Sequence, residues 1–346
     1  MELPMTSIPR HRPAVLALAA LLGAAAPAAA APEPAGPIAA TLFRQHRVVL
    51  VAPDTGTIVS APTGIGPTGL VHVDDALLVA NRGTGRAPAS SLTEIALPGG
   101  APRSTRFVCE NCAPTSLAID GTGRLWLVAQ AHRAVSWLDR PWEAPAGTVL
   151  VPWGWPTELA VLPGGGPLVV GMRATDELAV IDLPPERPRR LRLDLGPGQL
   201  ALRPGAAEVW VGTQQGRVFV LDRDALAGRA EPEVVRTRAQ VLDLAFAAGG
   251  ELLLVASASV PGLVVVDPAT REVLAVRPYS EVVTRIAAEP GGRRVALAFD
   301  GRPEIAIVRV GRDGALDELR RLDLGGEPEE MLWLPAPGGT PAAREE

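Results

Sequence analysis

The sequence contains a unit that recurs at a nearly constant spacing. When the units are aligned on one apolar residue each, successive spacings are 47, 42, 41, 44, 42 and 45 residues. A repeat of this length that carries several short strands is typical of a β-propeller. Each unit exposes too much apolar surface alone, so the copies must bury one another. The aligned segments are Pro67–Leu70, Pro114–Leu117, Pro156–Leu159, Pro197–Leu200, Val241–Leu244, Val283–Ile286 and Pro328–Met331.

The unit that begins at Pro114 shows how each copy folds. Apolar runs at Leu117–Ile119, Leu125–Ala129 and Val135–Leu138 predict three strands, and Asp120–Gly123 predicts a turn between the first two. A fourth, outer strand is expected before the next unit, for example over Glu272–Arg277. The chain therefore predicts an all-β fold with six complete four-stranded blades.

The two ends of the repeat region supply a seventh blade. Ile38–Phe43, Val48–Val51 and Thr57–Ala61 have the pattern of a second, third and fourth strand without a first, and Glu330–Leu334 has the pattern of a lone first strand. Pairing them leaves no exposed strand edge at the join. We therefore predict a seven-bladed β-propeller over residues 38–335, its ring closed by one C-terminal strand and three N-terminal strands.

The N-terminus has the pattern of an export signal. A basic start precedes an alanine-rich apolar run at Ala14–Ala26, which predicts a signal peptide over residues 1–31. Residues 32–37 are expected to form a loose lead-in and residues 336–346 a disordered tail. No later segment approaches the roughly 20 apolar residues of a membrane helix. The protein is thus expected to be exported, periplasmic or extracellular, without a membrane span.

Charge restricts the class of partner. The formal net charge is -5 and has no long runs of one sign. This argues against binding to nucleic acid or to an anionic membrane surface. A protein partner or a small-molecule ligand is expected, and the protein is predicted to be a monomer.

Two units carry a family resemblance. The third strand over Glu177–Asp182, and a second one that ends at Asp267 before Thr270, resemble the YVTN family of seven-bladed propellers. The family's signature is approximated only as Leu78–Asn81. The unit at Pro114 also resembles NHL-type and streptogramin-lyase-type repeats. The resemblance implies the propeller architecture, while related repeats occur in enzymes, subunits and binding proteins.

One position of the repeat predicts a polar ring around the central channel. It immediately precedes the aligned apolar residue, on the face where loops from all blades converge. A cation or a polyhydroxylated ligand could bind there, with calcium as a candidate metal for Glu158, Asp243 and Glu330. Alternatively, the ring is a hydrated channel mouth whose charges pair with each other. The ring residues are Gly69, Ser116, Glu158, Gln199, Asp243, Arg285 and Glu330.

Loop residues on the same face could add to this site. Arg82, Arg133 and Arg173 follow second strands and could orient an anionic ligand, or could simply be solvated. Trp153 and Trp155 could stack against a sugar or another ligand, and could equally plug the channel or pack between blades.

The two cysteines, Cys109 and Cys112, form a Cys-x-x-Cys motif in the loop that enters the third unit of the chain. Export predicts a disulfide, which is structural or redox-active. The next residue is Ala113 where covalent haem attachment needs His, and two further zinc ligands are not nearby. No thioredoxin-like context surrounds the motif.

Catalytic motifs are sparse. His132 and Glu158 are the candidates for acid–base residues, and the resemblance to streptogramin lyases implies such a His together with a Glu. We find no Ser-His-Asp order or phosphate loop. We therefore expect an exported, non-catalytic propeller without a cofactor that binds a partner protein or small ligand. The alternatives are a lyase- or lactonase-type enzyme that uses the acidic ring, with or without calcium, and a propeller subunit of a periplasmic dehydrogenase.

Overall fold

The structure, a computed structural model, describes residues 35–84, 89–237, 239–258 and 262–336. The predicted signal peptide, most of the predicted lead-in and the predicted tail beyond residue 336 lie outside these ranges. None of the helices in the described part of the chain combines the length and the apolar character that a membrane span requires.

The described chain forms seven antiparallel sheets of four strands, one per blade. Blade 1 contains β4 (Pro67–Val73), β5 (Ala76–Asn81), β6 (Ala89–Ala96) and β7 (Pro102–Glu110). Blade 2 contains β8 (Pro114–Ile119), β9 (Leu125–Ala129), β10 (Ala134–Leu138) and β11 (Gly147–Leu150). Blade 3 contains β12 (Trp155–Val161), β13 (Leu168–Arg173), β14 (Glu177–Ile181) and β15 (Arg189–Arg192). Blade 4 contains β16 (Gln199–Leu202), β17 (Val209–Gly212), β18 (Arg217–Leu221) and β19 (Glu233–Arg236).

The remaining blades follow the same order. Blade 5 contains β20 (Val241–Ala247), β21 (Leu252–Ser257), β22 (Gly262–Asp267) and β23 (Glu272–Pro278). Blade 6 contains β24 (Val283–Ala288), β25 (Arg294–Phe299), β26 (Glu304–Val310) and β27 (Leu316–Asp323). Blade 7 joins β28 (Glu330–Trp333) to β1 (Ile38–Leu42), β2 (Arg47–Val51) and β3 (Ile58–Pro62).

Helices are short and lie in the connections. Single 3₁₀ turns span Phe43–Gln45, Gln130–His132 and Ala248–Gly250, and helix α1 spans Arg223–Leu226. Asp222 caps α1, because its carboxylate accepts a 2.8 Å hydrogen bond from the Ala225 backbone N–H.

Blade 7 closes the ring as the sequence predicts. The C-terminal strand β28 pairs antiparallel with β1, with Ile38 opposite Trp333 and Thr41 opposite Glu330. The Glu330 backbone N–H also donates to the Thr41 hydroxyl at 3.0 Å. The prediction of a seven-bladed all-β propeller closed by one C-terminal and three N-terminal strands is confirmed.

The hydrophobic core is divided among the blade interfaces. The described residues form seven buried clusters, and each lies between two neighbouring blades. Trp126 and Trp210 are fully buried in two of them, and their indole N–H groups donate to Asp120 and Glu208. No sheet therefore has a complete core of its own, which is the behaviour expected of a repeat fold.

The inner strands that surround the channel are irregular at one repeated place. β12, β20 and β24 each shift register against the second strand of their blade just before the predicted ring position. β4 and β8 do so as well. A bulge of this kind leaves a backbone group unpaired within the sheet. Five of the seven predicted ring positions lie at these bulges.

Candidate functional site

A cavity of about 260 Å³ lies where the seven inner strands converge. All seven predicted ring positions line it. Arg82, Gln130, Arg173 and Glu329 line it as well, as do three threonines described below. The ring residues are Gly69, Ser116, Glu158, Gln199, Asp243, Arg285 and Glu330.

Three ring side chains connect one blade to the next. Ser116 Oγ accepts a hydrogen bond from the Leu159 backbone N–H at 3.3 Å, and Glu158 Oε2 accepts one from Leu200 at 3.0 Å. Asp243 Oδ2 accepts from Ile286 at 2.6 Å. Each donor belongs to the inner strand of the following blade. These side chains, which we call the latch residues, are therefore part of the framework as well as of the cavity wall.

A second set of contacts between blades comes from threonines that the sequence analysis did not select. Thr68 Oγ1 donates to the Pro114 carbonyl at 2.8 Å, and Thr115 Oγ1 donates to the Thr157 carbonyl at 2.9 Å. Thr157 Oγ1 donates to the Gly198 carbonyl at 3.3 Å. The signal was present in the aligned units, since each of these threonines follows the proline that begins its unit.

Arg285 and Glu330 form the open part of the ring. The Arg285 guanidinium donates through Nε to the Glu329 carbonyl at 2.7 Å and through Nη1 to the Thr284 carbonyl at 2.8 Å. Its Nε lies 3.9 Å from Glu330 Oε2. The Glu330 side chain is 43% exposed to the channel. A cation and a carboxylate are thus held side by side and remain accessible to a small ligand.

The ring carboxyl groups have raised pKa values. Limited access to bulk water raises the pKa of Glu330 to about 7, with the Asp243 charge adding to the effect and Arg285 opposing it. Burial raises the pKa of Asp243 to about 6, again opposed by Arg285. Burial and repulsion by Glu330 and Asp243 raise the pKa of Glu158 well above its usual value. The cavity wall therefore limits the solvation of Glu330, although its side chain is 43% exposed.

The predicted arginines divide into two groups. Arg82 and Arg173 line the cavity, whereas Arg133 does not. The Arg133 guanidinium lies 5.1 Å from the centre of the Trp155 ring and donates to the Pro152 carbonyl at 3.3 Å. Arg133 is thus held beside the cavity by contacts within the protein.

The two tryptophans also have different environments. Trp155 is 45% exposed, at the start of β12. Trp153 packs against the core cluster between blades 2 and 3, and its indole Nε1 is buried with no partner among the described residues. The Arg190 guanidinium covers its ring at 4.6 Å. Trp155 therefore has a surface for a ligand, and Trp153 has a packing role.

His132 lies apart from the cavity. It is exposed at the end of the 3₁₀ turn Gln130–His132 and does not line the cavity, whereas Gln130 from the same turn does. The Gln130 amide donates to the Pro156 carbonyl at 3.2 Å. Sequence reasoning selected the titratable residue of this turn, but the amide residue is the one that reaches the site.

Cys109 and Cys112 form the predicted disulfide. Cys112 is fully buried in the cluster between blades 1 and 2. Its carbonyl accepts a 3.0 Å hydrogen bond from Ala131, in the turn that carries Gln130. This arrangement fits the structural alternative for the pair.

Within the described residues, no group of three or more His, Cys, Asp or Glu side chains is arranged to hold a metal ion. Glu158, Asp243 and Glu330 share the cavity but are not such a group. The calcium alternative stays a prediction.

No protein-family model matches the chain, and no curated protein matches its sequence. The resemblance to YVTN-type and NHL-type repeats therefore stays a prediction. Comparison of folds, in contrast, finds similar solved structures. A periplasmic gluconolactonase from Pseudomonas aeruginosa has a TM-score of 0.69 and 18% identity, over 87% of this chain and 99% of that chain. A protein from Bacteroides fragilis, provisionally named a 6-phosphogluconolactonase, has a TM-score of 0.69 and 11% identity, over 87% and 98%.

These neighbours correct one expectation. The prediction of a non-catalytic binding scaffold is wrong by this comparison, because the neighbours bear the names of lactonases and support the lactonase alternative instead. At such low identities the likeness itself establishes only the fold. The activity of this chain must be argued from its own cavity.

Proposed function

We propose that the protein is a lactonase that hydrolyses the lactone of a sugar acid in the central cavity. The observation that carries the proposal is the pair formed by Glu330, with a pKa of about 7, and Arg285, 3.9 Å away. Ester hydrolysis near neutral pH needs a base with such a pKa and a cation for the developing negative charge. The names of the neighbours with the same fold point to the same reaction class.

Glu330 acts as the general base. Its carboxylate removes a proton from a water molecule as the water oxygen adds to the lactone carbonyl carbon. The resulting tetrahedral intermediate then collapses, the bond from carbon to the ring oxygen breaks, and the protonated Glu330 returns its proton to the departing alkoxide. The product is the open hydroxy acid, and Glu330 is ionised again.

Arg285 stabilises the oxyanion of the intermediate. Two backbone carbonyls hold its guanidinium through Nε and Nη1, while Nη2 lies 4.0 Å from Glu329 Oε1, beyond hydrogen-bond distance, and can donate to the substrate. Because these contacts fix the cation before the reaction, little reorganisation is needed when the charge develops.

Polar side chains around the rest of the cavity suit a polyhydroxylated substrate. Gln130, Arg173 and Gln199 present donors or acceptors, and Glu158 and Asp243 present carboxyl oxygens. A site built from such groups discriminates against substrates that lack hydroxyl groups. We place the activity outside the cytoplasm, with support from the signal-like N-terminus and the disulfide.

The test is hydrolysis of glucono-δ-lactone by the purified protein, followed by acid release after subtraction of the uncatalysed rate. We expect kcat/KM to rise with pH through about 7, because only ionised Glu330 accepts a proton. Glu330→Gln should lower kcat by about 10²- to 10⁴-fold. Arg285→Ala should lower it by about 10²- to 10³-fold.

Glu231→Gln is the matched control. Glu231 is exposed in the loop between β18 and β19, at the end of the propeller opposite the cavity. It should leave the rate unchanged. A wild-type rate no higher than the uncatalysed rate with several sugar-acid lactones would refute the proposal, as would full activity in Glu330→Gln.

A further inference from the structure

The rim of the cavity beside blade 3 has an aromatic surface that the proposed hydrolysis does not use. Trp155 is 45% exposed and is the cross-strand partner of Arg173, which lines the cavity. Residues directly opposite in an antiparallel pair point to the same side of the sheet with their Cβ atoms about 4.5–5.5 Å apart. The exposed indole therefore adjoins the cavity.

The Arg133 side chain packs against this indole. The Arg133 guanidinium lies 5.1 Å from the ring centre, and its Nη1 is anchored to the Pro152 carbonyl at 3.3 Å. Pro156, the next residue after Trp155, is itself held by the Gln130 amide at 3.2 Å. A ring held in this way loses little freedom when a ligand stacks on it.

Arg173 lines the cavity and lies opposite Trp155 in the pair formed by β12 and β13. Its guanidinium has no hydrogen-bond or ion-pair partner within the described part of the chain, although it lines the cavity. The donors of this guanidinium are thus available to a ligand that reaches from the cavity to Trp155.

The size of the cavity sets what can fit inside it. Pockets that enclose drug-sized ligands are about 300–1,000 Å³, and this cavity has about 260 Å³. One sugar-acid lactone suits such a space, whereas a second ring linked to it must extend over the rim. The apolar face of a pyranose ring packs well on an indole, while its hydroxyl groups accept from a guanidinium.

We propose that Trp155 and Arg173 form a subsite for a second sugar ring, so that the preferred substrates are the aldonolactones of disaccharides. The lactone end occupies the cavity near Glu330 and Arg285, and the second ring stacks on Trp155. The inference rests on the proposed lactonase function for its reaction, but the subsite can be measured without it.

The kinetic test compares glucono-δ-lactone with the δ-lactones of lactobionic and cellobionic acid. Wild type should have a lower KM for at least one disaccharide lactone. Trp155→Ala should raise that KM by about 2- to 10-fold and leave the KM for glucono-δ-lactone unchanged. Trp155→Phe should retain most of the preference. Phe107→Ala, which removes another exposed aromatic ring on β7, is the control and should change neither KM.

A binding measurement separates the two proposals. Calorimetry with the open-chain acids needs no turnover, and lactobionate or cellobionate should bind more tightly than gluconate in a Trp155-dependent way. If that holds but no lactone is hydrolysed, the subsite stands and the lactonase function fails. If lactones are hydrolysed but neither disaccharide is preferred, or Trp155→Ala affects all substrates equally, the subsite is overturned. If there is neither hydrolysis nor a binding preference, both proposals fail.

Discussion

Glu158 and Asp243 occupy the same position of their inner strands as Arg285 and Glu330, yet the two pairs have different roles. The first pair accepts backbone hydrogen bonds from the following blade. The second pair has no such bond within the described residues, and its members face each other across 3.9 Å. A repeat position thus determines where a side chain lies, while its chemistry determines whether it holds the fold or remains available to a ligand.

The difference has a simple physical cause. The Leu159, Leu200 and Ile286 N–H groups each need an acceptor, and a side chain of the preceding blade supplies it. In β12 and β24 a bulge adjoins the donor. Arg285 has only donors, so it cannot serve the following strand. There the Met331 N–H bonds instead to the side chain of its own neighbour, Glu330, at 3.3 Å. Arg285 therefore makes no such bond to the following blade, and its guanidinium lines the cavity instead.

The largest effect on stability is expected when blade 7 cannot close the propeller, because the inner strands are then no longer held around the channel. A chain that ends at Gly326 lacks β28 and the buried Met331, Trp333 and Leu334. Buried side chains of this size contribute about 1.5–3 kcal/mol each, and a typical domain has only about 5–15 kcal/mol of stability. We expect no cooperative thermal transition by circular dichroism. A chain that ends at Ala336 should melt as wild type does, and a folded Gly326 chain would show that closure is dispensable.

The comparison is tested directly by removing one carboxylate of each kind. Asp243→Ala leaves the Ile286 and Leu244 N–H groups without their acceptor, at a cost of about 1–3 kcal/mol, or a fall of roughly 3–10 °C in Tm. Glu330→Ala should lower Tm less, because its one backbone bond, from the Met331 N–H, is 3.3 Å long and its side chain is 43% exposed. Scanning calorimetry compares the two variants with wild type at the same pH. Equal losses in Tm would mean that the latch has no separate role.

The pH dependence of stability sharpens the comparison further. The pKa of Glu330 is about 7 in the folded protein against 4.5 for an unperturbed Glu, so the folded state holds this proton more tightly. Its contribution to stability is full below about pH 4.5 and is lost as pH rises through about 7. Glu330→Gln does not titrate. The Tm of this variant relative to wild type should therefore increase between pH 4.5 and 8, by less than the full difference in pKa implies, because solvent screens a side chain that is 43% exposed.

The control for this series is Glu231→Gln, which should follow wild type at every pH. A Tm difference between Glu330→Gln and wild type that stays constant from pH 4.5 to 8 would contradict the raised pKa.

The smallest effect is expected at the uncharged latch. Ser116→Ala removes one 3.3 Å bond to the Leu159 N–H at the rim of the cavity, which costs about 0.5–1.5 kcal/mol, or roughly 1–4 °C in Tm. Ser280→Ala, on an exposed side chain that bonds only its neighbour Glu281, should be neutral. Indistinguishable Tm values for the two variants would show that, of the latch residues, only Glu158 and Asp243 stabilise the fold.

The fold was accessible from sequence because turns and apolar runs recur with one period. Six blades follow from that period, and the seventh follows from the strand patterns at the two ends. The position of the ring was accessible for the same reason, since a structural repeat places aligned residues in equivalent places around the channel.

The sequence did not predict which ring residues bond to the next blade and which remain available to a ligand. The difference depends on bulges that no residue pattern marked, as at Pro156 and Glu158. His132 was selected for its chemistry, but the 3₁₀ turn directs it to solvent and brings Gln130 to the cavity. Trp153 and Trp155 differ because Arg190, which is distant in sequence, covers the Trp153 ring and the core between blades 2 and 3 packs against it. Such outcomes are set by contacts between elements rather than by local pattern.

The pairing of β28 with β1 has a consequence for how the gene could be rearranged. The Leu334 N–H bonds to the Pro37 carbonyl at 2.9 Å, so the two ends of the propeller lie side by side. A short linker could join them, and new termini could be opened at the exposed Gly228, in a loop at the end opposite the cavity. Such a circular permutant keeps every strand pair. Its blade 7 would be made of contiguous chain, and blade 4 would be completed by two separate segments instead.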